Sequence, residues 1–215
     1  MDSTHRTQTF IASLDPGHPP HLESLYESAK TTNIPIISRE VQSILKLFLT
    51  IQNPKHILEI GCAIGFSALL MSEYVADDCK ITTIEKDKKR CKTALENFNK
   101  YNKAGKITLI EGDARKILKS LDTPYDFIFM DAAKGQYPNF LPDILRLLVP
   151  GGLLITDNIL QDGDILESRY AVTRRDRTIH TRMREYLYEI KHHSELCTEI
   201  FDVGDGITIS YRQPN

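Results

Sequence analysis

"ILEIGCAIGFS", residues 57–67, decides the fold. It opens as a short apolar, β-branched run suited to a buried strand and leaves through Gly61 and Gly65 into a helical stretch. Glycines at such a turn allow positive φ and let a ligand approach the backbone closely. The same alternation recurs outward from this point. "HILEI" (56–60), "KITTIE" (80–85), "ITLIEG" (107–112), "DFIFMD" (126–131) and "GLLITD" (152–157) are short apolar segments, and amphipathic stretches lie between them, the clearest being Asp87 to Tyr101. Strands apolar on both faces with a helix in every crossover predict a parallel α/β sheet with helices on both faces. One more helix is expected beyond residue 177. Then "CTEIFDVGDGITISY" (197–211) reads as two strands around Gly204-Asp205-Gly206, a hairpin signal. Upstream, His21 to Thr32 and Ser38 to Ile51 show helical apolar spacing on either side of "NIPII" (33–37). The first twenty residues run into the breaker cluster "DPGHPPH" (15–21). The expectation is therefore a flexible N-terminus over 1–20 and a single domain over 21–215, with N-terminal helices over 21–55.

A chain of 215 residues is long enough to bury one substantial core. At 41% hydrophobic and 26% charged residues the composition is that of an ordinary globular protein, and no apolar run is long enough to cross a bilayer. "MDSTHRTQTF" lacks the layout of a signal peptide. The four cysteines (62, 79, 91 and 197) form no CxxC pair, so reduced thiols in a cytoplasm are expected. A net charge of −2 argues against indiscriminate nucleic-acid binding. One segment departs from that average: "RYAVTRRDRTIHTRMR" (169–184) carries six arginines against one aspartate.

Strand ends at the carboxyl edge of such a sheet are where ligands bind. Glu59, Gly61, Gly65 and Ser67 surround the first turn. Glu85 ends the second strand, where a carboxylate can accept both ribose hydroxyls. The dinucleotide fingerprint GxGxxG needs a glycine where this chain has Ala63, so the glycines fall as GxxxG. That spacing favours a nucleoside without a pyrophosphate, and S-adenosylmethionine fits. Asp113 and Ala114, in "EGDA" (111–114), are placed to meet the adenine amino group and ring.

Two strand ends remain, carrying Asp131 and the pair Asp157-Asn158. All three side chains offer hard oxygens, which suits Mg²⁺ or another divalent cation of that class. Two carboxylates and an amide leave coordination positions open for water or substrate. Lys134 lies three residues past Asp131, at the edge of the same pocket. Beside a cation and a sulfonium its charged form is disfavoured, which suits a catalytic role toward a bound hydroxyl.

The chain at this point resembles the metal-dependent class I O-methyltransferases, which include catechol and caffeoyl-CoA O-methyltransferases. The likeness runs from about Ile34 to Tyr211 through "NIPII", "LEIGCAIGFSA", "IEKD", "EGDA", "MDAAKGQY", "ITDN" and "VGDGI". "DAAKGQYPNF" (131–140) and "TDNIL" (156–160) are most similar to the bacterial branch that methylates 5-hydroxyuridine in the tRNA anticodon loop. The resemblance implies a Rossmann-like, seven-stranded, mostly parallel sheet ending in an antiparallel hairpin, usually as a homodimer. It also implies cofactor contacts at Ile37, Glu59, Gly61, Ser67, Glu85, Asp113, Ala114 and Asp131, metal ligands at Asp131, Asp157 and Asn158, and a catalytic lysine at Lys134. A metal that chelates two adjacent oxygens fixes the attacking hydroxyl and lowers its pKa. A catechol offers two such oxygens, and so does 5-hydroxyuridine through its 5-hydroxyl and O4, so the metal motifs leave both open. The arginine-rich segment favours RNA, with Arg174, Arg175 and Arg177 expected to contact phosphates, although an acyl-CoA also carries phosphates.

Overall fold

The computed structural model describes residues 3–32, 34–161 and 163–214; Asn33 of "NIPII" and Asp162 lie outside the described residues. Seven strands form one sheet: β1 (His56–Ile60), β2 (Lys80–Glu85), β3 (Ile107–Glu111), β4 (Tyr125–Met130), β5 (Leu148–Thr156), β6 (Leu196–Phe201) and β7 (Ile207–Arg212). Their order across the sheet is β3-β2-β1-β4-β5-β7-β6. Neighbours from β3 to β5 pair in parallel, while β7 pairs antiparallel with both β5 and β6. Six strands thus share one direction and β7 opposes them. The strand order reverses between β1 and β4, which makes their carboxyl ends the crevice where an open α/β sheet takes its ligand.

Eight helices accompany the sheet among the described residues: α1 (Ser3–Ser13), α2 (Pro20–Thr31), α3 (Arg39–Gln52), α4 (Phe66–Glu73), α5 (Lys88–Lys100), α6 (Ala114–Ser120), α7 (Tyr137–Leu147) and α8 (Arg177–His192). Successive strand residues point to opposite faces, and both faces are covered. Ile57, Phe127 and Phe129 pack with Leu45 and Leu49 of α3 and with Phe98 of α5. Leu58, Ile128 and Met130 pack on the other side with Leu141 and Ile144 of α7 and with Met183 and Ile190 of α8. Double coverage is why the strands read as unbroken apolar runs. Each fully buried Leu or Ile contributes about 1.5–3 kcal/mol relative to exposure. Helix starts are marked as the sequence suggests. The Asp87 carboxylate accepts from the amides of Lys89 and Arg90 at 2.9 and 3.0 Å to cap α5.

The stretch expected to be a flexible terminus holds α1, and the breaker cluster after it is tied down. The His18 amide donates to Glu23 Oε1 at 2.8 Å, and its ring nitrogen Nδ1 lies 2.6 Å from the Tyr74 hydroxyl. Glu23, within the helix expected from His21, and Tyr74, just after α4, do this anchoring. Among the described residues no helix is long and apolar enough to cross a membrane.

Candidate active site

The turn after β1 is built on three left-handed residues, Gly61 (φ +103°), Ala63 (φ +46°) and Gly65 (φ +84°). A Cβ at Gly61 would stand 1.9 Å from the Asp131 carbonyl oxygen, so the ends of β1 and β4 touch backbone to backbone there. One at Gly65 would meet the Phe98 ring at 2.5 Å. Glu85 holds the turn from β2: one oxygen accepts from the Ala63 amide at 2.9 Å, and the other accepts from the amides of Lys86 and Asp87, each at 2.9 Å. Glu59 is completely buried. Its Oε2 accepts from the Thr83 hydroxyl, its Oε1 has no partner, and burial pushes its pKa up to about 7. The cleft over this turn is lined by Pro35, Ile36, Ile37, Gly61, Ser67 and Asp131, among others, which brings together four residues named from the sequence. Asp113 caps α6 and pairs with Arg115 at 2.6 Å, which holds its carboxyl down at about 2. It is not among the residues lining the cleft, and its carboxylate is already engaged.

Asp131 and Asp157 stand at adjacent strand ends. The Asp131 amide donates to the Ile60 carbonyl at 3.0 Å, and the Asp157 amide donates to the Met130 carbonyl at 3.0 Å. Burial raises the Asp131 pKa to about 6. Burial, and then repulsion from Asp131, raises that of Asp157 to about 7. Asn158 takes a left-handed corner (φ +59°), and its Nδ2 reaches Asp131 Oδ1 at 2.9 Å. Two crowded carboxylates that resist ionisation beside an amide are a donor set that a hard divalent cation relieves. To hold such a cation, the Asn158 amide would turn its oxygen inward in place of its nitrogen. Among the described residues no group of three or more His, Cys, Asp or Glu side chains is poised to hold a metal; Asp131, Asp157 and Asn158 are the side chains that would hold a divalent cation here.

Lys134 opens a short 3₁₀ turn, Lys134–Gln136, and its Nζ lies 2.8 Å from Asp205 Oδ2 in the β6–β7 turn. Sequence reading took Gly204-Asp205-Gly206 as a hairpin marker and missed this contact; an acid framed by two glycines was the available signal. Tyr137, also unassigned from sequence, is fully buried beneath the strand ends that carry Asp131 and Asp157. Its hydroxyl accepts from the Ala132 amide at 3.2 Å and donates to the Asp157 carbonyl at 3.1 Å.

The arginine-rich segment borders this site, because Arg182 Nη1 donates to the Gly135 carbonyl at 3.0 Å. Its six arginines divide in two. Arg182 and Arg184 donate to backbone carbonyls, and Arg177 donates to the Tyr170 carbonyl at 3.4 Å with its guanidinium 5.7 Å from that ring's centre. Arg169, Arg174 and Arg175 are exposed and pair with no described side chain. Of the three arginines named from sequence, Arg174 and Arg175 are open and Arg177 is partly committed.

The sequence profile of the O-methyltransferase family matches residues 13–213. Caffeoyl-CoA O-methyltransferase 5 of Nicotiana tabacum is 30% identical over 91% of this chain and 86% of its own length. A catechol O-methyltransferase of Niastella koreensis is 32% identical over 57% of this chain and 58% of its own. Among solved structures, an SAH-bound methyltransferase from Podospora anserina superposes with a TM-score of 0.87 at 27% identity, covering 99% of this chain and 96% of that one.

Proposed function

Since the chain belongs to the O-methyltransferase family and so takes its methyl group from S-adenosylmethionine, we propose that it methylates the 5-hydroxyl of 5-hydroxyuridine in the tRNA anticodon loop, giving 5-methoxyuridine, as a divalent-metal-dependent homodimer. A cation on Asp131, Asp157 and Asn158 would supply Lewis acidity to two neighbouring acceptor oxygens, and the nucleoside cofactor in the cleft would supply the methyl group. The chain's own residues do the rest. Glu59, Gly61, Ser67, Glu85 and Ile37 shape the cofactor cleft, and Asp113 with Ala114 closes its adenine end. Asp131 and Asp157, with their backbone amides tied to neighbouring strands, fix where the acceptor oxygens lie. Lys134, at the lip of that pocket, meets the hydroxyl that loses its proton. Arg169, Arg174 and Arg175 offer open positive charge where a polynucleotide backbone would pass.

The observation that carries the RNA reading is this exposed arginine group, in the segment whose Arg182 donates to Gly135 of the lysine-bearing turn. A second reading, methylation of a catechol or of a caffeoyl-CoA-like phenol, is favoured by the two relatives described above. The deciding experiment gives purified protein 5-hydroxyuridine-containing tRNA and, separately, a catechol, each with Mg²⁺ and with a chelator. Methyl transfer to tRNA that stops on chelation is the expected result. Transfer to the catechol alone discards the RNA substrate, and undiminished turnover in chelator discards the metal.

A further inference from the structure

Lys134 is not a free ammonium over the pocket. Its side chain is 29% exposed and that of its partner Asp205 is 19% exposed, so the pair is screened less than a surface ion pair and directs the lysine more firmly. A lysine stem has four rotatable carbons and does not hold its nitrogen in one place unaided. Asp205, by contrast, is presented by a fixed backbone. Gly204 (φ +61°) and Gly206 (φ +77°) flank it in left-handed conformations, and a Cβ at Gly206 would stand 2.3 Å from Leu160. The Asp205 carbonyl accepts from the Leu160 amide at 2.9 Å, and the Gly206 carbonyl accepts from the Ile159 amide at 3.1 Å. The loop that carries Asp157 and Asn158 is thereby fastened to the turn that carries Asp205.

We infer that Asp205 is a positioning residue for methyl transfer: its carboxylate holds Lys134 Nζ at the pocket lip, and so sets where the lysine meets the acceptor hydroxyl. The inference rests on the role given to Lys134 in the proposed function. The fastening bonds to Leu160 and Ile159 use main-chain atoms alone, so a change of the Asp205 side chain leaves that clamp in place, and the double-mutant cycle separates its effect on the lysine from the charge it also presents to Asp157.

The test is a double-mutant cycle of Lys134→Ala, Asp205→Ala and the pair, assayed with Mg²⁺ on whichever acceptor the wild-type protein turns over, with SAH affinity and thermal midpoint measured alongside. Asp205→Ala is expected to lower kcat about tenfold or more while KM for S-adenosylmethionine stays within about twofold, since a misplaced group costs rate more than cofactor binding. In the Lys134→Ala background the same change is expected to alter kcat less than about twofold, because the two residues act as a unit. Asp205→Asn, which keeps an acceptor oxygen, is expected to recover part of the rate, and it carries the same readings if Asp205→Ala fails to fold. Loss in Lys134→Ala with none in Asp205→Ala or Asp205→Asn overturns this inference alone, and so does a double mutant whose loss is the product of the two single losses. Unchanged kcat in Lys134→Ala overturns both the lysine's role and this inference.

Discussion

Glu59 shows what burial does to one carboxyl group. In the unfolded chain it titrates near 4.5, and in the folded chain near 7, because the protein around it replaces water and this outweighs the hydrogen bonds it accepts from Ser67 and Thr83. Between those two values the folded state keeps a proton that the unfolded state has released, so stability falls as pH rises through the window. A shift of that size is worth on the order of 3 kcal/mol. Asp131 and Asp157 are raised as well and act in the same direction. The measurement is therefore a difference between two proteins, made without ligand by denaturant unfolding from about pH 4.5 to 7.5. Glu59→Gln is expected to flatten part of the decline seen in wild type, and identical slopes would mean that Glu59 does not titrate as described. Ala63 carries a different cost: its left-handed backbone is unfavourable for a residue with a Cβ by about 1–2 kcal/mol. The hydrogen bond its amide donates to the Glu85 carboxylate holds it there.

Between elements, the ends of β4 and β5 are joined by one phenol. Tyr137 begins α7, directly after the lysine-bearing turn, and its hydroxyl bonds to the Ala132 amide on one side and the Asp157 carbonyl on the other. Tyr137→Phe leaves these buried groups unpaired, at about 1–3 kcal/mol for each one lost. Because the ends carrying Asp131 and Asp157, the proposed metal ligands, then loosen together, Mn²⁺ or Mg²⁺ affinity is expected to fall about 10- to 100-fold, the range for residues that orient ligands. Calorimetric titration of the metal into the variant checks this, and wild-type affinity would show that the ligands are held by other means. The strands and most helices were legible in the sequence because doubly buried strands such as "DFIFM" and capped helices such as that after Asp87 carry their signals locally. Tyr137 and Asp205 were not legible in these roles, since the contacts that define them span the ends of different elements. Nor does a hairpin pattern say which of its two strands joins the sheet. Here the second one, β7, lies beside β5. The helix α1 was hidden for a simpler reason: its apolar residues Phe10 and Ile11 are more than 60% exposed and follow no buried face.

Across the whole molecule, charge is distributed unevenly. The chain is net −2, yet the approach to α8 presents Arg169, Arg174 and Arg175 exposed and without partners among the described residues. Contacts of that kind with phosphates are paid for by displaced counterions and weaken as salt is raised. Replacing Arg174 and Arg175 together by alanine is expected to reduce the slope of log affinity for tRNA against log salt by about one for each contact removed, with turnover of a small catechol unchanged. A slope unaltered by the double substitution would place the tRNA elsewhere. The remaining arginines of the segment are expected to matter for stability instead, because Arg182 and Arg184 bond to the backbone that supports the site.

The place of β7 between β5 and β6 bears on how a growing polypeptide matures. β6 is synthesised first but has no seat on the sheet until β7 has arrived to bridge it, so the flank of β5 stays bare during that interval. The carboxylate facing Lys134 lies in the reversal between β6 and β7, so the lysine gains its partner only once that hairpin is made.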